Sequence, residues 1–261
     1  MFMEVQEELK HSQLLSMLAS GKREDGRDML TYRSISLQRN PLQNAEGSAV
    51  CHLGRTQVLA GVKIDLATPF PDRPEEGVLS TGAEFSPLGS HLFEPGPPRV
   101  EAIELARVVD RGIRSANMID LSSLKVEGVT KVKAVYVDLW IMDHDGNLFD
   151  AAMLAAVAAL ANTRMPKMEG EKLVRGEYEG NLPISCLPVS CTFGMAGNTY
   201  LLDPTLDEEK GLDGRFTLAT TPDFVCAAQK TGWKGVTQKD IMEFVDISFK
   251  KGAELRRLIQ Q

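Results

Sequence analysis

The 261-residue chain, 43% hydrophobic and 25% charged, has enough apolar material for one large domain or two closely packed halves. Its net charge of −7 and pI near 5.3 exclude a general nucleic-acid coat, which draws its affinity from neutralising phosphates with Lys and Arg; any RNA or DNA contact must be local or shared with a partner. Cys51, Cys186, Cys191 and Cys226 form no Cys-x-x-Cys pair and His11, His52, His91 and His144 lie far from the close cysteine pair, so no metal site is expected, while the acidic Met1 to Lys10 and the short apolar run Ala151 to Ala161 predict a cytoplasmic chain with reduced thiols and no membrane span.

From Glu4 to Ser20, the apolar Leu9, Leu14, Leu15 and Leu18 predict a helix, with Gly21 as its stop signal. Arg23-Glu-Asp-Gly-Arg27 reads as a turn. Ser48 to His52 and Gln57 to Asp65 read as strands of a hairpin turning at Leu53-Gly54-Arg55-Thr56. Residues 67–76, with their prolines and charges, mark a surface loop, and Gly77 to Phe85 a third strand.

A Pro-Gly-Pro-Pro entry at Pro95 to Pro98 then leads into a helix carrying Arg107, Arg111 and Arg114. At about 100° per residue the three fall within roughly 60° of one another, a cationic stripe suited to a phosphate backbone. Ile103, Ala106, Val109 and Ile113 are expected to fix the opposite side on a core. Glu101, Glu104 and Asp110 flank the stripe, so a solvated set of helix ion pairs is the competing reading. Arg99 either extends the track or pairs with Glu101.

Val132 to Met142 is a β-rich run long enough for a central strand. A turn at Asp143 to Asn147 delivers the chain into Asp150 to Thr163, an alanine-rich helix with almost no polar face, which must be buried. After Pro166, strands are predicted near Leu187 to Phe193, Thr199 to Asp203, Arg215 to Thr221 and Phe224 to Lys230. Thr237-Gln-Lys-Asp240 is a capping box opening a last helix to about Ile259. The pattern is α+β, with helices covering mixed sheets, in a single domain 1–261. Its parts are an N-terminal helix 4–20, a first half of about 21–165 and a second of about 166–261.

Five segments in order carry a resemblance: Arg23-Glu-Asp-Gly-Arg27, Gly47-Ser-Ala, Gly54-Arg-Thr-Gln-Val-Leu-Ala-Gly61, Phe93-Glu-Pro-Gly-Pro-Pro98 and Glu104-Leu-Ala-Arg-Val-Val-Asp-Arg111. Together they resemble the ribonuclease PH family, in its non-catalytic, archaeal exosome-ring branch. The resemblance implies an RNase PH-type domain of repeated β-α units. It implies assembly with a catalytic RNase PH-like subunit into a hexameric ring, a trimer of heterodimers, with S1- or KH-domain caps feeding single-stranded RNA into the pore. It implies that Arg107 and Arg111 hold RNA in the cleft shared with the neighbour; Arg114, on the same stripe, and Arg99, just before the helix, are further candidates by position. Inorganic phosphate, with or without magnesium, belongs to the catalytic partner, and no cofactor is expected in this chain.

The chain departs from the family's active members at two places. Their phosphate-gripping Asp-Gly-Gly-Thr-Arg turn reads Asp145-Gly-Asn-Leu-Phe149 here, with a phenyl ring in the arginine position. Their two aspartates six residues apart match Glu209 and Arg215, a cation in place of an anion. No catalytic residue is therefore expected, and the acidic run Asp203, Asp207, Glu208, Glu209 and Asp213 reads as a solvated turn. Two alternatives remain: a phosphorolytic exoribonuclease or nucleotidyltransferase using Asp203, Glu209 and Asp213, and a metal-dependent hydrolase centred on Asp203 to Asp213.

Overall fold

The computed structural model describes residues 2–126, 128 and 130–261, and side chains from residue 11 onward within that set. Helix α1 (Phe2–Ala19) ends in a Schellman turn: Lys22 N–H reaches Met17 O at 3.1 Å, Gly21 N–H reaches Leu18 O at 3.0 Å, and Gly21 takes φ +71°. Leu14 and Leu18 are buried, while the side chain of Leu9 lies outside the described residues.

A five-stranded sheet follows, built from β1 (Ile35–Arg39), β2 (Gly47–Leu53), β3 (Thr56–Ala67), β4 (Val78–Phe85) and β5 (Val132–Asp143), in the order β1-β2-β3-β5-β4. The sheet is mixed, because β4 runs parallel to β5 while the other pairs are antiparallel. Between β4 and β5 runs helix α2 (Val100–Ser115), the parallel-strand crossover such a pair requires. The expected hairpin is β2–β3, and β5 is an interior strand.

Helix α3 (Leu148–Ala161) is buried along its length, as its composition demands: it packs on β2 and β3 on one side and on the second sheet on the other. Alanines let both sheets approach closely. Where α2 crosses α3, a Cβ on Gly112 would stand 2.3 Å from Met153 Cε, so a larger residue there would require the Met153 side chain to move.

The second half holds a two-stranded ribbon, β6 (Arg164–Glu169) and β7 (Lys172–Asn181), and a four-stranded antiparallel sheet of β8 (Val189–Ala196), β9 (Thr199–Leu202), β10 (Gly214–Thr220) and β11 (Val225–Gly232), ordered β11-β10-β8-β9. A short helix α4 (Leu206–Glu209) separates β9 from β10, and α5 (Gln238–Gln260) closes the half against β8 and β10. The capping box is present: Asp240 N–H donates to Thr237 Oγ1 at 3.2 Å and Thr237 N–H to Asp240 Oδ2 at 3.0 Å, a motif that contributes about 1 kcal/mol. Phe244 seats α5 by stacking on Phe193, ring centroids 4.3 Å apart. Each half is thus a sheet closed by a C-terminal helix.

Three strands escape the sequence reading. β1 is short, with Ser36 and Gln38 alternating outward. β6 and β7 carry many charges, and their register shifts twice around Pro166. A further correction concerns Ile103, which is 49% exposed rather than in the core. It precedes Arg107 by four residues and so lies on the arginine side, and the buried face is Ala102, Leu105, Ala106, Val108, Val109, Gly112 and Ile113.

Candidate RNA-contact face and a self-neutralised centre

The core stripe of α2 turns Arg107, Arg111 and Arg114 outward, but their surroundings differ. Arg114 is bound by Asp110 through Nε and Nη2, both at 3.1 Å, and donates to Leu79 O at 3.0 Å. Arg99 pairs with Glu94 rather than Glu101. These two cations are compensated. Arg111 Nη1 meets only a neutral amide, Gln229 Oε1 at 3.4 Å, and the Arg107 guanidinium has no ion pair or hydrogen bond among the described residues. Glu104 accepts from Gln229 Nε2 at 2.8 Å and Thr231 Oγ1 at 3.3 Å, and Asp110 is occupied by Arg114 and Thr81. The structure therefore leaves Arg107 and Arg111, one turn apart, as an uncompensated cationic pair. Two guanidiniums so placed can each take a phosphate oxygen bidentately without reading sequence.

At the turn before α3, Gly146 has φ +87°, and a Cβ there would fall 2.4 Å from Thr205 C and 2.6 Å from Pro204 O. This close approach brings Asn147 to α4, where its N–H donates to Glu209 Oε1 at 2.9 Å. The same oxygen accepts from Arg215 Nη1 at 2.8 Å, and the Arg215 guanidinium sits 5.5 Å from the centroid of the buried Phe149 ring. Where the resemblance places a phosphate-binding arginine and two aspartates, the chain thus has a ring covered by a guanidinium that is already paired. Beside it, burial holds the His144 ring below its usual pKa, and its Nδ1 accepts from Gly146 N–H at 3.3 Å.

The acidic run is not a solvated turn. Asp203 is fully buried, Glu208 is 1% exposed and Asp213 5%. Arg33 grips Asp203 through Nη2 at 2.7 Å and Nε at 3.0 Å, and Arg27 Nη1 adds a bond at 2.9 Å. Arg23, itself buried, binds both oxygens of Glu208 at 2.6 and 2.9 Å and the carbonyls of Leu202 and Asp203. Asp203 and Glu208 are buried because three arginines from the segment after α1 reach them, a long-range match that composition near residue 203 does not reveal. Asp207 is the exposed member, beside Lys210 at 3.2 Å. Among the described residues, no group of three or more His, Cys, Asp or Glu side chains is placed to hold a metal ion. Of the carboxylates the alternatives require, Asp203 and Glu209 are occupied by arginine, and Asp213 accepts from Gly197 N–H at 2.7 Å with His11 Nε2 at 3.7 Å.

Sequence reasoning also missed Asp150, buried in the first turn of α3. It accepts from Asn147 Nδ2, Tyr32 OH and Thr192 N–H, each at 2.9 Å, and from Thr192 Oγ1 at 2.8 Å. Burial nevertheless dominates and pushes its carboxyl up to about 6. A carboxyl raised on folding stabilises fully below its unfolded pKa and loses that contribution as pH rises through the folded value. Asp150→Asn is therefore expected to flatten the fall in stability between pH 4 and 6, by up to about 3 kcal/mol, in urea unfolding followed across that range. An unchanged pH profile would contradict the assignment.

Two sheet units each closed by a helix, with an arginine helix at the surface, define an α+β protein of two halves. The chain belongs to the 3′ exoribonuclease family: domain 1 of that family matches residues 31–166 and domain 2 matches residues 186–251. It is 42% identical over 263 residues to the exosome complex component Rrp42 of Thermococcus onnurineus, covering 98% of this chain and 96% of that one. In structure it is similar to a chain of the Archaeoglobus fulgidus exosome with RNA bound to the active site, with TM-score 0.89, 42% identity and coverage of 97% and 98% of the two chains. A chain of an archaeal exosome core superposes with TM-score 0.87 at 39% identity, covering 100% of both.

Proposed function

We propose that this chain is a non-catalytic, RNA-binding structural subunit of an exosome ring that shortens RNA from its 3′ end with inorganic phosphate. It alternates with a catalytic RNase PH-like subunit, three of each, completes that neighbour's site and holds the RNA backbone with Arg107 and Arg111. S1- or KH-domain caps are further partners, phosphate chemistry belongs to the neighbour, and the assembly works in the cytoplasm. The observation that supports this most is a contrast within one chain: Arg215 is spent on Glu209 at 2.8 Å, whereas Arg107 is left without a counter-ion among the described residues.

The outer face of the five-stranded sheet points the same way, since Trp140 is 42% exposed and Met142 38%, side chains that favour burial against a partner. Mixing the chain with a catalytic RNase PH-like subunit is expected to give a particle of six subunits by light scattering. A stable monomer that ignores the partner would count against the reading.

A further inference from the structure

Gln229 stands on β11 facing α2, its amide held between two side chains of that helix. Its Nε2 donates to Glu104 Oε1 at 2.8 Å, and its Oε1 accepts from Arg111 Nη1 at 3.4 Å. Thr231, two residues along the same face of the strand, donates to the same Glu104 oxygen at 3.3 Å. Because the amide nitrogen is committed to a carboxylate, its oxygen must face the guanidinium. We propose that Gln229 is a positioning residue of the RNA-contact face: it turns Glu104 away from Arg107 and braces Arg111 without neutralising it. The inference rests on the RNA-binding role proposed above for these two arginines.

Two physical arguments carry it. Glu104 precedes Arg107 by three residues, a spacing at which helical ion pairs form. Left free, its carboxylate would compete with a phosphate for that guanidinium; neutral donors from β11 hold it instead. Arg114 shows the contrary arrangement on the same helix, gripped by Asp110 through two nitrogens at 3.1 Å. The second argument concerns Arg111, a long side chain whose rotamers must be restricted before it can grip a phosphate. An amide acceptor restricts them and leaves the full charge available, which a carboxylate in the same place would not.

The test is binding of fluorescent oligoadenylate, at several salt concentrations, to the ring assembled from this chain and its RNase PH-like partner. Q229A is expected to weaken binding about three- to tenfold, and E104Q in the Q229A background to restore most of it, because an amide cannot pair with Arg107. Q229E, which places a carboxylate on Arg111, is expected to lower the salt slope by about one phosphate contact. A merely structural role would lower the melting temperature, leave the salt slope alone and gain nothing from E104Q. Should Q229A disturb the strand, Q229M keeps its length without either hydrogen bond, and the same loss is expected. Binding by Q229A and Q229M equal to wild type, while R107A/R111A loses RNA, would overturn this inference alone. Wild-type binding by R107A/R111A would overturn the RNA-binding role and this inference with it.

Discussion

Replacing both Arg107 and Arg111 with glutamate is expected to weaken RNA binding by the assembled ring at least about 100-fold, since a hydrogen bond to a charged group contributes about 1.5–3 kcal/mol and two are lost. The logarithmic salt slope should fall by about 1.4, two single-strand phosphate contacts at roughly 0.7 each. Degradation should slow although the catalyst lies in the neighbouring subunit. The ring should still assemble, because both side chains are exposed and α2 is held by its buried face; the hydrogen bond lost among the described residues is the 3.4 Å contact from Arg111 Nη1 to Gln229 Oε1. The competing reading, in which the arginines only balance Glu104 and Asp110, predicts lower thermal stability with RNA affinity and slope intact. The structure already weakens it: Glu104 is tied to β11 and Asp110 to Arg114. An unchanged slope with unchanged degradation would defeat the RNA-contact assignment.

The largest effect on stability is expected at Asp203→Ala, a loss of about 3–5 kcal/mol in urea unfolding, because removing one partner of a buried ion pair strands the other charge. Arg33 and Arg27 would lose their shared counter-ion, and Asn147 Nδ2, 2.8 Å from Asp203 Oδ1, would lose an acceptor. Burial pushes the Asp203 carboxyl up, but the Arg33 hydrogen bonds and charge outweigh it and hold the group below its ordinary value. Such a group stabilises above its unfolded pKa and loses that contribution as pH falls through the folded one, so the variant should also shed acid sensitivity below about pH 4. A chelator should leave the wild-type melting temperature unchanged, whereas a hydrolase built on these carboxylates would lose stability with its metal. Wild-type stability of the alanine variant would show that the arginine cluster does not hold the fold.

The elements read correctly from sequence are those whose cause is local. The alanine-rich α3 has no polar face to offer water, Thr237 and Asp240 cap α5 reciprocally, and the stop of α1 depends on Gly21 alone. The elements misread are decided by distant residues. Asp203 and Glu208 look solvated until Arg23, Arg27 and Arg33 arrive from the other end of the chain. Likewise Ile103 reads as a core residue because it is apolar, although its position four residues before Arg107 puts it on the outer face. Of the four arginines offered for RNA, sequence spacing groups Arg107, Arg111 and Arg114, and only their partners separate them. Gln229 carried no local signal, since its role depends on which helix β11 lies beside.

Release of nucleoside diphosphates from oligoadenylate with phosphate and magnesium tests the central claim most directly, measured for this chain alone, for its catalytic partner alone and for the assembled ring. No phosphate-dependent product is expected from this chain alone and full turnover only in the ring, because Arg215 occupies Glu209 and Phe149 cannot grip phosphate. Phosphate-dependent turnover by the pure chain, abolished by Glu209→Gln, would contradict it.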